Sequence, residues 1–120
     1  MSILVEIGKG NPSGSSGSIA QGVTGGAANG DLILAFFAWD TSASPTDLDS
    51  VNDVTGQAWT IITTSAGILG GVAGGWAWAV VSGGGWSGAN TVTGALNTGS
   101  VGGRVALIYK PDLVQMLDAK

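Results

Sequence analysis

The chain has 120 residues, of which 44% are hydrophobic and 10% charged, and a net charge of −4. That is one domain with enough apolar material for a core, and the low charge argues against disorder. Histidine and cysteine are absent, which excludes Ser-His-Asp and Cys-His nucleophiles, zinc fingers, iron–sulfur ligation and disulfides.

Charge is unevenly placed. Residues 1–60 carry six acids and one lysine, and residues 61–120 carry two acids and three bases. Asp31, Asp40, Asp47, Asp49 and Asp53 follow one another with no base between them. These aspartates read as solvated loops and strand ends. Four scattered bases cannot form the stripe that displaces phosphate counterions, so nucleic-acid binding is not expected. At the start, Glu6 and Lys9 interrupt MSILVEIGKG, so no secretory leader is expected. Ala66–Val81 is the only stretch resembling a membrane span, but it is 16 residues long with five glycines. A spanning helix needs ~20 residues and tolerates glycine poorly, so no membrane helix is expected.

In chain order the pattern is that of strands. Ser2–Ile7 alternates and reads as a strand or docking arm; the glycine/serine run Lys9–Ser18 follows as a long loop. Asp31–Trp39 is apolar on both faces, with Leu32, Leu34 and Phe36 opposite Ile33, Phe37 and Trp39. Such a strand is central, or turns one side to a partner. Ala43–Asp53 reads as a loop around Pro45, and Thr55-Gly56 as a turn into a strand over Gln57–Thr64, where Trp59 and Ile61 share a face. Trp76–Ser82 sets Trp76, Trp78 and Val80 against Ala77, Ala79 and Val81, and Gly83-Gly84-Gly85 ends it. Asn90–Leu96 alternates. In Arg104–Lys110 the expectation is Val105, Leu107 and Tyr109 inward, with Arg104 and Lys110 outward. Pro111 ends that strand. The tail Pro111–Lys120 places Leu113, Val114 and Leu117 on one helical face, so it is a short helix or strap that must dock to persist.

Six to eight short strands around one core make an all-β single domain, a sandwich of jelly-roll or Ig-like type or else a barrel. Residues 1–18 form its N-terminal strand or arm and loop, 19–110 the sandwich, and 111–120 a C-terminal arm.

Chemical motifs are weak. Gly83-x-Gly85-x-x-Gly88 matches a dinucleotide fingerprint, but the following ANTVTG reads as a strand where that motif needs a helix. Gly85-Trp86-Ser87-Gly88-Ala89 lacks the last glycine of a nucleophile elbow, and no histidine exists to activate Ser87. From Asp47, an EF-hand would require a ligand where Val51 stands, glycine where Asn52 stands and glutamate where Ala58 stands; only a looser calcium loop at Asp47, Asp49 and Asp53 is left open. Glu6 is the only glutamate, which argues against a glycosidase pair. No catalytic, cofactor or metal residue is therefore assigned. The five tryptophans read chiefly as core or subunit interface.

The segments NGDLILAFFAWD (29–40), VNDVTGQAWTIITTS (51–65), WAWAVVSGG (76–84), ANTVTG (89–94) and GRVALIYKPD (103–112) succeed one another. This order resembles a β-sandwich pattern of bacteriophage virion proteins and some bacterial surface proteins. Asp53, Gly56, Trp59 and Thr60 fit its V-x-D-x-x-G-x-x-W-T hairpin. The bacterial members are parts of longer secreted chains; a chain expected to stand alone without a leader fits a virion protein better. The resemblance implies a non-enzymatic capsid decoration, or cement, protein on the outer surface of the phage head, made in the host cytoplasm and commonly trimeric. Its partner would be the major capsid protein. No cofactor, nucleic acid or membrane is implied. Interface candidates are Ile3, Val5, Trp76, Trp78, Trp86, Leu113, Val114 and Leu117. The competing expectation is a carbohydrate-binding sandwich of a phage tail or adhesin, stacking sugar on Trp76, Trp78 or Trp86, or another tail or head–tail component.

Overall fold

Alternating apolar residues need two layers to bury one face of each strand, and the computed structural model, which describes residues 4–10, 17–40, 47–69, 72–86, 90–96 and 104–111, supplies them. Its strands are β1 (Leu4–Gly10), β2 (Ser18–Val23), β3 (Leu32–Asp40), β4 (Leu48–Asp53), β5 (Thr60–Leu69), β6 (Val72–Val80), β7 (Asn90–Leu96) and β8 (Arg104–Pro111). One sheet has five strands in the order β1-β8-β3-β6-β5, the other three in the order β2-β7-β4, and every pairing is antiparallel. The pairs β1–β8, β2–β7 and β3–β6 are nested: the first half of the chain lies against the second half, folded over. That is the winding of a jelly roll, with β5 held in the large sheet by its hairpin to β6.

The core lies between the sheets. Ile33, Phe37 and Trp39 of β3, Ala73 and Ala77 of β6, and Ala106 and Ile108 of β8 face Ile19 and Val23 of β2, Leu48 and Val51 of β4, and Val92 and Leu96 of β7. The alanines of β6 leave room for the rings of β3. Gly94 of β7 does the same from the opposite layer, since a Cβ there would sit 3.1 Å from the Phe37 ring.

Several sequence expectations change. Leu48–Asp53 is strand β4, not part of a loop. Its buried residues Leu48 and Val51 are three apart because the register shifts between Leu48 and Ser50, and this bulge breaks the alternation. The expected long loop gives Lys9 and Gly10 to β1 and Ser18 to β2, so Leu4–Gly10 is a paired edge strand. The strand expected over Gln57–Thr64 begins at Thr60, with Trp59 and Ile61 packed on the core. The candidate membrane segment falls in the β5–β6 hairpin, and among the described residues no helix is long and apolar enough to cross a membrane.

In β8 the faces are the reverse of the expectation. Arg104, Ala106 and Ile108 turn inward, and Val105, Leu107 and Tyr109 turn outward. Both sides of this strand are apolar, so alternation alone could not choose between them. Arg104 is only 5% exposed; its guanidinium donates to the Ser18 carbonyl at 2.9 Å, which satisfies part of the buried charge. Pro111 is the last residue of β8; the tail beyond it, with Leu113, Val114 and Leu117, lies outside the described residues, as does Ile3.

Candidate functional site

Once the inward residues are assigned, the outer face of the large sheet can be read row by row. Glu6, Tyr109, Leu34, Trp78 and Thr60 lie side by side across β1, β8, β3, β6 and β5. Lys9, Leu107, Phe36 and Trp76 form the next row, Val105, Ala38 and Gly74 the one after, and Leu32 pairs Val80 at the other end. Between Leu32 and Ala38, and across to Trp76–Val80 and Val105–Tyr109, no residue is charged; Glu6 and Lys9 of β1 flank this patch, and Asp40 closes the β3 side of it. Phe36 stacks on Trp76 with centroids 5.7 Å apart and meets Tyr109 edge-on at 6.2 Å. These rings are thus held by one another. The edges of the patch are open: Val80 is 49% and Val105 40% exposed.

The small sheet presents the opposite character. Its outward residues are Ser18, Ala20 and Gly22 of β2, Thr91, Thr93 and Ala95 of β7, and Asp49, Ser50 and Asn52 of β4. Such a face is at ease in water; a row of aromatic and aliphatic side chains is not.

The hairpin signature proves to be a clasp between the sheets. The Asp53 carboxylate accepts from the Thr55 N–H at 2.9 Å, the Thr55 hydroxyl and Asn90 Nδ2 at 3.2 Å through one oxygen. Its other oxygen accepts from the Gln57 N–H and from Trp59 Nε1, each at 2.9 Å. Gly56, at φ +77°, makes the turn that brings these donors round. Gln57 extends the clasp to the Ser82 backbone, accepting its N–H at 2.8 Å and donating to its carbonyl at 3.0 Å. Partial burial pushes the Asp53 carboxyl up. The hydrogen bonds from Thr55, Trp59, Asn90 and Gln57 together outweigh it and hold the group below its ordinary 3.8. With both oxygens engaged by protein donors and β4 extended, Asp53 is a structural anchor. Among the described residues no three Asp, Glu, His or Cys side chains converge as metal ligands.

Beside the clasp lies an open depression of about 820 Å³, lined in part by Ala27, Asp31, Gly85, Trp86 and Lys110. Asp31 pairs with Lys110 at 3.6 Å and accepts the Ala28 N–H at 2.9 Å. Gly83, Gly84 and Gly85 all have positive φ and form a turn, and the chain continues into strand β7 where a dinucleotide site would need a helix. Gly88 and Ser87 lie outside the described residues.

Of the interface candidates, Trp76 and Trp78 stand on the outer face, half-buried by their neighbours. Val5 lies on edge strand β1, opposite Lys110. Trp86 belongs to the core: it is 9% exposed, bridges Ala27 through the backbone and donates its indole N–H to the Gly25 carbonyl at 3.0 Å. It offers no ring for stacking. Leu34, Phe36, Val80, Val105, Leu107 and Tyr109 were not among the candidates, although the two-sided apolar pattern of β3 was their signal. Comparison with protein-family models, curated proteins and solved structures finds no match to this chain.

Proposed function

We propose that the protein is a non-enzymatic structural component of a phage virion, a decoration or cement protein that stabilises the head from outside by binding major capsid subunits. The observation that carries this reading is the contrast between the two sheets: one outer face is small and polar, the other aromatic and uncharged over β3, β6 and β8, with Glu6 and Lys9 of β1 along its flank. Depletion of charge and enrichment in aromatic residues mark the cores of protein interfaces. The jelly-roll winding supports the reading only as an analogy, since viral capsid and lectin domains share it. A sugar site would need hydrogen-bonding groups around its aromatic platform; Trp78 and Trp76 have Leu34 and Phe36 beside them on β3 and Thr60 and Thr63 on β5, so sugar binding is the second reading.

In this reading the outer face joins protein to protein, and the tail beyond β8 reaches the coat. The test is co-sedimentation of the purified chain with expanded heads lacking it, together with heat rupture of the particles. The full chain binds and raises the rupture temperature. The chain truncated after Pro111 folds, with an unchanged circular dichroism spectrum, but does not bind. Absence of binding by the full chain would refute the decoration role, and undiminished binding by the truncated chain would refute the tail's part in it.

A further inference from the structure

We infer that Asn29–Gly30 is a chemical modification site: the chain deamidates there first, and the docking of this turn against Val81 and Gly84 sets the rate. Of the five asparagines, Asn29 alone precedes a glycine; Pro12, Asp53, Thr91 and Thr98 follow the others. Asparagine is thermolabile because the backbone nitrogen of the next residue can attack its side-chain amide. A Cβ on that next residue crowds the attack, and glycine has none. Proline after Asn11 has no N–H to lose. In the reaction the Gly30 amide nitrogen gives up its proton and bonds to Asn29 Cγ. The Cγ–Nδ2 bond breaks, and ammonia leaves with that proton. Water then opens the cyclic imide at either carbonyl, which leaves aspartate or isoaspartate at position 29.

The fold withholds both reacting groups. Ala28, Asn29, Gly30 and Asp31 form a β-turn closed by the Asp31 N–H on the Ala28 carbonyl at 3.0 Å, with Gly30 at φ +88° in the third position. The Gly30 N–H, whose nitrogen is the nucleophile, donates to the Val81 carbonyl at 2.9 Å. The Val81 N–H in turn donates to the Asp31 carbonyl at 2.8 Å. Asn29 Oδ1 accepts the Gly84 N–H at 2.8 Å, so the side-chain amide is tied to the glycine turn and not to its own backbone. Ring closure requires the Gly30 N–H and Asn29 Oδ1 both to be released.

Release is local. Ala28, Asn29 and Gly30 are exposed, and a Cβ placed on Gly30 would meet nothing within 4 Å. Water and base reach the turn as soon as it lifts, without unfolding of the sheets. Breaking two exposed hydrogen bonds slows the reaction about 10- to 100-fold relative to the unfolded chain. A reaction that waited for global unfolding would be slowed at least about a thousandfold. The products differ in consequence. Aspartate keeps an oxygen for the Gly84 N–H, whereas isoaspartate adds a main-chain carbon and throws the turn out of register with Val81.

The test follows the one-dalton mass gain at each asparagine, by mass spectrometry of fragments of the full chain aged in mildly alkaline buffer, folded and in urea. Asn29 is expected to convert first in both, and about 10- to 100-fold more slowly in the folded chain. Gly84→Ala strains the donor residue at φ +100° without touching either reacting residue, and speeds the folded reaction about tenfold. Trp78→Ala, a similar loss of overall stability on the outer face, leaves the rate unchanged. Conversion first at Asn52, Asn90 or Asn97 overturns the site. A folded chain that reacts as fast as the unfolded one overturns the gate, as does slowing beyond about a thousandfold or equal acceleration by the two variants. Should Gly84→Ala fail to fold, the wild-type rate in urea below the unfolding midpoint decides. A rate indifferent to urea marks local release, and one that climbs with the unfolded population contradicts it. A chain that ignores heads would still convert at Asn29, and one that binds heads without converting there would keep the decoration role.

Discussion

Replacing Asp53 with alanine removes the acceptor for five donors: the Thr55 N–H and hydroxyl, the Gln57 N–H, Trp59 Nε1 and Asn90 Nδ2. The two Thr55 donors are exposed and water replaces their partner. The other three are part-buried, and Asn90 is 4% exposed, so their desolvation is not recovered. At about 1 kcal/mol for each part-buried donor left without its acceptor, the loss is about 3 kcal/mol. For a domain of this size that corresponds to a fall in melting temperature of about 10 °C. Equilibrium urea unfolding at pH 7 measures it. The sign with pH follows from the depressed carboxyl. A group whose folded pKa lies below its unfolded value stabilises above the unfolded value and loses that contribution as pH falls through the folded one. The gap between wild type and Asp53→Ala is therefore widest at neutral pH and closes below the ordinary 3.8. A loss under about 0.5 kcal/mol at pH 7, the range of ordinary surface changes, would refute the clasp.

Other outcomes follow from particular positions. Gly85→Ala puts a Cβ into the Ala27 carbonyl at φ +75° and disturbs the Ala27–Trp86 bridge, costing about 3 kcal/mol; Gly84→Ala, at φ +100° with open space around it, costs about 1–2 kcal/mol. Both are read from urea midpoints, and equal losses would contradict the crowding at Gly85. Trp86→Ala opens the core and costs about 3–5 kcal/mol, whereas Trp78→Ala on the outer face costs about 1–2 kcal/mol, because its ring is only partly withdrawn from water in a lone copy. The reverse order in thermal unfolding would show that the two faces have been misassigned.

What the sequence made legible follows the physics of alternation. β6, β7 and β8 could be found because residues of contrasting size or polarity alternate along them, and β3 because its short run is apolar on both sides, which fits a central strand or one that turns a side to a partner. β4 was hidden: its bulge sets Leu48 and Val51 three apart, and its Asp, Ser and Asn residues are turn formers elsewhere. β2 was hidden by small residues following a glycine/serine run. The inner side of β8 was misread because a charge at Arg104 suggests solvent, while its guanidinium finds the Ser18 carbonyl inside. The hairpin signature could be recognised as a pattern, but its chemistry could not, since Asn90 and Ser82 reach the clasp from distant parts of the chain. Of the aromatic face only Trp76 and Trp78 were found, for the same reason: its rows join residues from β3, β6 and β8 that only pairing register brings together.

Oxidative footprinting of tryptophan, on the free dilute chain and on the chain bound to heads, addresses the covered face most directly. Trp76 and Trp78 should be labelled when free and strongly protected when assembled, with Trp86 protected in both states because it lies in the core. Equal labelling of Trp76 and Trp78 in the two states would mean that this face stays open to water while the protein works, and would contradict the account.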